Sequence, residues 1–461
     1  MTAASRRRLH LAGSLATILM LAILVAGIAR PCEAAPRIQR VVAGDVEAWL
    51  VEDHANPIIA LQLAFRSGGS ASDPADRGGL ARMTAALLDE GAGDLDSQAF
   101  QGRLQDLSIH LGFDAGLDTL SGSLETLTQN REAAFDLLRL ALTQPRFDAE
   151  AVTRIRSQLE AQLRRSAEDP NAVASRRLWA EMFPGLPYGR PVDGDEQSIG
   201  RIGQEDLRRF VRERMARDRV IVGVVGDLTP AELAPLLQRT FGGLPATAAA
   251  STVADVRPVA AGTVVTIDMD VPQSAIAFAQ PGLKRSDPRF YALTILNQIL
   301  GGGGLSSRLF EEVREKRGLV YSVSTALVPL DHAGVIVGGA GTQTASVAEA
   351  IGVIRSEWRR LATDGVTPAE LADAKTYLTG SFPLRFAGSS RLAGLLVSIR
   401  RDDLGIDYLE RRNALIASVT EAQANALAKD LLAPEQLAVV VVGRTAGEAS
   451  TAHRPPRLHI R

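Results

Sequence analysis

The sequence predicts an α+β fold in which one sandwich-like unit, an antiparallel-rich sheet covered by helices, occurs twice. Two apolar strands end in the glycines Gly226 and Gly443, which lie 217 residues apart. Two helix starts contain Glu150 and Glu370, which lie 220 residues apart. A nearly constant offset over this distance indicates an internal repeat.

The order of the elements favours a two-layer sandwich. Alternating apolar and polar residues predict half-buried strands at residues 58–65 and 274–279. Helices are predicted, from apolar residues at three- to four-residue spacing, at residues 133–142, 204–215, 348–361 and 420–432. Because the strands and helices do not alternate with a regular βαβ rhythm, a doubly wound parallel sheet is disfavoured.

The first 35 residues predict a secretory signal peptide. A basic start at Arg6, Arg7 and Arg8 precedes a long apolar run, and small residues near Ala34 and Ala35 suit a signal peptidase. An uncleaved membrane anchor is the alternative, because the apolar run approaches the length that spans a bilayer. Cleavage would leave a chain without cysteine and with a net charge of -5. We therefore expect export to the periplasm.

The remaining residues divide into two lobes and a connection. We predict an N-terminal lobe at residues 36–245, a linker at 246–262 and a C-terminal lobe at 263–461. The 461 residues are 46% hydrophobic and 23% charged, which is ordinary for a globular protein. A single cysteine excludes a disulfide framework or a cysteine-rich metal site. A mildly acidic chain without basic clusters is a poor binder of nucleic acid.

The clearest motif lies in the second copy, where residues 301–323 read GGGGLSSRLFEEVREKRGLVYSV. The glycines alone predict a turn before a helix, since no Lys-Ser/Thr follows to form a phosphate-binding loop. The whole segment resembles the insulinase/pitrilysin-type (M16) zinc peptidases. Asp169-Pro170 and the stretch around Tyr188 in the first copy fit the same resemblance. It implies two homologous lobes that form a clamshell around an enclosed cavity.

The resemblance assigns substrate binding to Arg314 and Tyr321. In relatives, an Arg and a Tyr at these positions point into the cavity and hold the backbone or carboxylate of the bound peptide. The chemistry suits this role, because a guanidinium presents a forked cationic donor and a phenol adds one hydroxyl on a stiff ring. A surface arginine and a packed tyrosine are the alternative interpretation.

The first copy lacks the metal motif of the family. Active members carry H-x-x-E-H, in which two histidines bind zinc and the glutamate activates water. Here Arg82 replaces the first histidine, Ala85 the glutamate and Ala86 the second histidine. The third-ligand position is Gln162, or Glu160 if the alignment slips. Alanine has no donor atom and arginine repels a dication, so we predict no metal and no catalytic residue in this chain.

Other hydrolytic chemistries find no support in the sequence. The residues after the signal peptide contain no G-x-S-x-G nucleophile elbow and no cysteine. The charge run Arg400-Arg401-Asp402-Asp403 is interpreted as a solvated turn.

The sequence therefore predicts a non-catalytic, substrate-binding subunit of a periplasmic zinc peptidase heterodimer. The zinc would belong to a homologous partner chain that retains H-x-x-E-H, and the pair would hydrolyse peptides. No stable membrane insertion is expected after signal cleavage. The alternative is a stand-alone peptide-binding, scaffold or chaperone-like protein of the same fold without turnover.

Overall fold

A computed structural model of the chain describes residues 36–250, 253–259 and 261–444. The predicted signal peptide at residues 1–35 lies outside the described residues, as does the segment after residue 444. Within the described ranges, no helix combines the length and the apolar character that crossing a bilayer requires.

Strands occur in both copies of the repeat. Those of the first copy are β1 (Gln39–Ala43), β2 (Val46–Glu52), β3 (Ile58–Arg66), β4 (His110–Ala115), β5 (Thr119–Leu127) and β6 (Val220–Gly226). Those of the second are β7 (Val264–Asp268), β8 (Ser274–Pro281), β9 (Val320–Pro329), β10 (Gly334–Thr342) and β11 (Ala438–Gly443).

Helices form the second layer of each copy. The first copy has α1 (Leu80–Ala85), α2 (Ser97–Asp106), α3 (Arg131–Thr143), α4 (Ala149–Glu168), α5 (Pro170–Met182), α6 (Glu196–Gly200), α7 (Gln204–Arg214) and α8 (Pro230–Phe241). The second has α9 (Phe290–Asn297), α10 (Val347–Asp364), α11 (Pro368–Gly380), α12 (Ser389–Arg401), α13 (Tyr408–Ser418) and α14 (Glu421–Leu431). Two π-helical segments, Gln298–Gly302 and Phe310–Glu315, lie between α9 and β9.

Short 3₁₀ turns connect several of these elements, at Ser70–Ser72, Thr128–Asn130, Pro187–Gly189, Gly304–Ser306, Thr344–Ser346, Phe382–Phe386 and Pro434–Gln436.

The two sheets share one topology. The first has the order β1-β2-β6-β3-β5-β4 and the second the order β7-β11-β8-β10-β9. In each sheet one pair is parallel, β2 with β6 and β7 with β11, and the remaining pairs are antiparallel. The strand orders coincide once the extra edge strand β1 is removed. The prediction of two homologous α+β lobes with antiparallel-rich sheets is therefore confirmed.

The central strands β6 and β11 are buried along their whole length. Such strands need apolar residues on both faces, and the valine runs of both strands supply them. One face of each sheet contacts helices of its own lobe, as Val222 and Val224 do in the core of the first lobe.

The other face of each sheet is covered by a helix from the opposite lobe. Helix α5 packs on β8 and β11, and helix α12 packs on β3 and β6. The approach of α12 is so close that a Cβ at Gly223 would lie 2.6 Å from the carbonyl oxygen of Ala393. Glycine is therefore required at this position of β6. We call α5 and α12 the reciprocal helices.

Hydrogen bonds reinforce the contact between the lobes. Tyr188 donates its hydroxyl to the Asp118 carboxylate at 2.5 Å, and the other oxygen of Asp118 accepts from the amide of Asp331 at 3.0 Å. At the end of α12, Arg66 donates to the Arg400 carbonyl oxygen at 2.8 Å. Arg400 itself donates to the backbone of Glu47. The interpretation of residues 400–403 as a solvated turn was wrong for Arg400 and Arg401, which are the last residues of a helix docked on the first sheet; Asp402 and Asp403 do form a turn.

The predicted linker at 246–262 makes backbone hydrogen bonds to both lobes. The amides of Ala249 and Val259 donate to the carbonyl oxygens of Glu213 and Met182, at 2.7 and 2.8 Å. The amide of Val256 donates to the carbonyl oxygen of His332 in the second lobe, at 2.9 Å. The exact domain boundaries of the sequence analysis stay a prediction.

Candidate functional site

Helix α1 carries Arg82 and Ala85, and Ala86 follows directly after it; the sequence analysis matched these three residues to the metal motif of the family. It begins after Gly79, whose φ of 87° lies in the left-handed region and whose Cβ would approach the Asp193 carbonyl oxygen to 2.8 Å. The buried carboxylate of Asp73 accepts from the Ala81 amide at 3.2 Å and pairs with Arg214 at 3.0 Å. The start of the helix is thus fixed by backbone shape and by a buried carboxylate.

The side chains at the ligand positions are engaged in packing and ion pairs. Arg82 forms an ion pair with Asp114 on β4 and a longer one, of 3.4 Å, with Asp193. Ala85 is 1% exposed within the hydrophobic core, and Ala86 is half-buried against the same core.

The third-ligand position lies on a neighbouring helix. Gln162 and the alternative Glu160 are both half-buried on α4, and α4 contacts α1. The fold therefore brings together the helices that carry Arg82, Ala85, Ala86 and Gln162.

These residues do not fit a zinc ion. Neither alanine has a donor atom, and the guanidinium of Arg82 is a permanent cation. Catalytic zinc takes about three protein ligands. Across residues 36–250, 253–259 and 261–444 there is no group of three or more His, Cys, Asp or Glu arranged to hold a metal. We therefore derive no chemical step through a metal in this chain.

The glycine run of the second lobe forms a π-helical segment and a short 3₁₀ turn where the sequence alone predicted a turn before a helix. Gly301 lies against β9, where a Cβ would meet the Thr325 hydroxyl at 2.7 Å. Gly304 has a φ of 58° with no atom within 4 Å of a Cβ position, and the Leu305 side chain that follows is 75% exposed. The run thus begins in close packing and ends at the surface.

Arg308 anchors the end of the glycine run. It is buried and donates to both oxygens of Glu370, at 2.6 and 2.7 Å, and to the Gly365 carbonyl oxygen at 2.8 Å. Burial raises the pKa of Glu370, but the hydrogen bonds from Arg308 and Thr367 outweigh it and hold the pKa at about 2. Sequence reasoning missed this pair, although Arg308 lies inside the quoted motif.

Arg314 and Tyr321 lie on either side of a tight turn. Arg314 is on the π-helical segment Phe310–Glu315, and Tyr321 is near the start of β9. Gly318, with a φ of 63°, makes the reversal between them, and its amide donates to the Arg314 carbonyl oxygen at 2.9 Å. π-Helical turns are rare and frequently mark functional sites.

Both side chains are open to solvent. Arg314 stacks on the Phe310 ring at 4.6 Å, and in the described part of the chain it forms no ion pair. Tyr321 is 51% exposed, and its hydroxyl accepts from Gln343 Nε2 at 3.2 Å.

Glu312, which lies two residues before Arg314, is by contrast paired. Glu312 accepts from Lys316 at 2.8 Å and from Arg317 at 2.7 Å, and these two cations lower its pKa to about 2. Because Glu312 is paired with Lys316 and Arg317, its carboxylate does not compete for the Arg314 guanidinium. This arrangement can bind carbonyl or carboxylate oxygens, but it contains no group placed to activate water.

The chain is similar to several known proteins. Residues 201–378 match the family described as Peptidase M16 inactive domain. The chain is 29% identical over 342 residues to the non-peptidase homolog YmxG of Helicobacter pylori, which covers 72% of this chain and 77% of that protein. It is 22% identical over 418 residues to the probable mitochondrial-processing peptidase subunit beta of Schizosaccharomyces pombe, covering 86% and 89%.

A solved structure has the same fold. The crystal structure of a peptidase M16 inactive domain from Pseudomonas fluorescens superposes with a TM-score of 0.84 and 28% identity, and covers 90% of this chain and 99% of that one. The two-lobed architecture and these similarities agree. Residues 201–378 match the M16 inactive domain, and the chain as a whole is similar to inactive members of the M16 peptidases.

Proposed function

We propose that this protein is the substrate-binding, non-catalytic subunit of a zinc peptidase whose metal is carried by a homologous partner chain with an intact H-x-x-E-H. The observation that carries the proposal is a contrast between two residues. Ala85 is buried where a general base would stand, whereas Arg314 is exposed and forms no ion pair with any residue that the structure describes. The side of the site that would bind a metal is packed into the core, whereas the side that would bind the peptide is open to solvent.

The physical reason for two chains is positional. Peptide hydrolysis requires the scissile carbonyl to be held against a metal-activated water. Arg314 and Tyr321 supply holding groups, since the guanidinium and the hydroxyl both reach oxygens of an extended peptide. Activated water has to come from elsewhere, because α1 offers no metal ligand. The name of the yeast relative, a processing-peptidase subunit, supports assembly with another chain.

The periplasm is the proposed location. It follows from the basic start and apolar run of residues 1–35 and from the absence of cysteine in the sequence after residue 32. Cleavage near Ala34 or Ala35 would release the subunit into that compartment. Amino-terminal sequencing of the exported protein tests this cleavage directly.

Reconstitution tests the main proposal. The purified chain is assayed for peptide hydrolysis with added zinc, alone and mixed with a homologous chain that retains H-x-x-E-H. We expect no activity alone and a gain of at least tenfold in the mixture. Hydrolysis by this chain alone, or no effect on the partner, would overturn the proposal.

Two substitutions test whether Arg314 and Tyr321 contribute to peptide cleavage by the mixture. Arg314→Ala and Tyr321→Phe should each lower kcat/KM of the mixture at least tenfold while the complex still forms in gel filtration. Arg208→Ala, at an exposed arginine of α7, and Tyr377→Phe, at a tyrosine 57% exposed, are the matched controls and should leave kcat/KM unchanged.

The alternative, a peptide-binding or scaffold protein without turnover, makes a different prediction. The chain would bind extended peptides in an Arg314-dependent manner, and no zinc-bearing homologue would change their fate. The name of the Helicobacter relative, a non-peptidase homolog, is compatible with it. Peptide binding without any partner-dependent cleavage would favour this function over the heterodimer.

A further inference from the structure

A second site of unusual charge lies in the C-terminal lobe, away from the residues considered so far. A cavity of about 220 Å³ is enclosed by α9, the Phe382–Phe386 turn, α12 and α13. Its lining includes three arginines, Arg285, Arg385 and Arg412. Aromatic rings and aliphatic side chains complete the walls.

Arg285 is held in place by tyrosines. Its guanidinium lies over the rings of Phe290 and Tyr291, at 4.6 and 4.9 Å. It also donates to the hydroxyls of Tyr291 and Tyr408, at 3.2 and 3.0 Å. These contacts orient the guanidinium and leave its charge without a carboxylate.

Arg412 is held in a similar way from the opposite wall. It is 9% exposed, stacks on Phe382 at 4.2 Å and donates to the Leu378 carbonyl oxygen at 2.7 Å. Burial lowers the pKa of Arg412, and the nearby charge of Arg385 acts in the same direction. Arg385 is exposed at the edge of the cavity.

Positive charge exceeds negative charge in the lining of this cavity. Among the described residues, no carboxylate lies within ion-pair distance of Arg285, Arg385 or Arg412. The carboxylate in the lining, Asp402, accepts from Arg401 at 3.0 Å. Buried or partly buried guanidiniums without a counter-ion, such as those of Arg285 and Arg412, are unfavourable. An anion that entered the cavity would pair with them and with the exposed Arg385 at its edge.

We propose that this cavity binds a small organic or inorganic oxyanion, with a carboxylate or phosphate group seated among Arg285, Arg385 and Arg412. Guanidinium forks match the planar oxygens of both groups. The rings of Phe290 and Phe382 would contact an apolar portion of the ligand. A volume of about 220 Å³ admits a molecule of amino-acid size and excludes a folded protein segment.

The test is calorimetric titration of the full chain with inorganic phosphate and with benzoate, using chloride at matched ionic strength as the control. We expect saturable binding of at least one probe, and stronger binding of benzoate if the aromatic walls take part. Arg385→Ala removes a charge that makes no hydrogen bond within the described residues, and it should weaken binding at least tenfold.

A matched variant and a conservative one sharpen the result. Arg411→Ala, a neighbour on α13 that pairs with Asp407 at 2.6 Å, should bind as the wild type does. Arg285→Lys keeps the charge but loses the fork, and should weaken binding several-fold. The proposal fails if neither probe binds beyond the chloride control, or if Arg385→Ala and Arg411→Ala bind equally. Because no partner chain is used, the result is independent of the proposed peptidase function.

Discussion

Helix α1 and the segment from Arg314 to Tyr321, which we propose as the two halves of a former peptidase site, differ in burial. At α1, Ala85 is 1% exposed and Arg82 is ion-paired. At the other segment, Tyr321 is 51% exposed, and Arg314 stacks on the Phe310 ring and has no ion pair within residues 36–250, 253–259 and 261–444. The side chains of α1 take part in packing and ion pairs, whereas the side chains of Arg314 and Tyr321 face solvent.

This difference in burial predicts which residues contribute to stability and which contribute to binding. Residues that contribute packing or ion pairs should matter for unfolding. Residues held open by a glycine turn should matter for binding and little for unfolding. Five substitutions test this, and they are given in decreasing order of the destabilisation that we expect.

Ala85→Glu should be the most destabilising change. It would restore the family's carboxylate at a position inside the core, where a charge without a partner is strongly unfavourable. We expect a loss on the order of 4 kcal/mol in the free energy of unfolding, measured in urea. Ala86→Glu, one residue along and half-buried, should cost clearly less. Equal losses would show that burial at α1 does not distinguish the two positions.

Glu370→Gln should have the next largest effect. It leaves the buried Arg308 without its carboxylate, which should cost about 2 to 3 kcal/mol. The pKa of Glu370 is held at about 2, below its value in the unfolded chain. Its contribution is therefore fully present above about pH 4.5 and is lost as the pH falls toward 2.

The pH dependence separates this pair from general acid unfolding. The stability difference between wild type and Glu370→Gln should shrink steadily between about pH 4.5 and pH 2 in denaturant titrations. A difference that stays constant over that range would mean that the Arg308 pair does not depend on ionised Glu370.

Arg82→Ala should be mildly destabilising. Its partners Asp114 and Asp193 are 64% and 38% exposed, and partly solvated ion pairs contribute little. We expect a loss of about 0.5 to 1 kcal/mol in the unfolding free energy. High salt should reduce the effect, and an effect that salt does not change would argue against an ion pair.

Arg314→Ala and Tyr321→Phe should change stability least. Both side chains are exposed, and neither takes part in an ion pair in the described part of the chain, so the loss should stay below about 0.5 kcal/mol. Thermal unfolding measures this, with Arg82→Ala as the matched arginine substitution. A loss as large as that of Ala85→Glu would show that these residues are structural after all.

Much of the fold could be predicted because its signals are local or periodic. The strands around residues 58–65 and 274–279 and the helices that begin near Ala149 and Pro368 follow from hydrophobic spacing. The repeat follows from a constant offset. The reciprocal helices could not be predicted, because the apolar face of α12 shows that it is buried but does not specify the sheet it contacts.

Part of the candidate site could also be predicted from the sequence, and part could not. The loss of metal donors at Arg82, Ala85 and Ala86 is visible in residue chemistry alone. The roles of Arg314 and Tyr321 stay a prediction that the family resemblance supplies. The Arg308 pair with Glu370 joins residues 62 positions apart, and such a partner cannot be read from local spacing.

The reciprocal helices have a consequence for biosynthesis. Strands β3 and β6 are complete once residue 226 has been made, but the helix that covers their outer face ends only at Arg401. Until then a nascent chain presents an uncovered apolar sheet, whose edges invite association with other chains. A lobe that is expressed alone would lack the reciprocal helix that the other lobe supplies, so one face of its sheet would stay uncovered. We therefore expect the two lobes to fold as one cooperative unit. Between the synthesis of residue 226 and that of residue 401, the apolar outer face of the first sheet is exposed, and a chaperone would have to cover it.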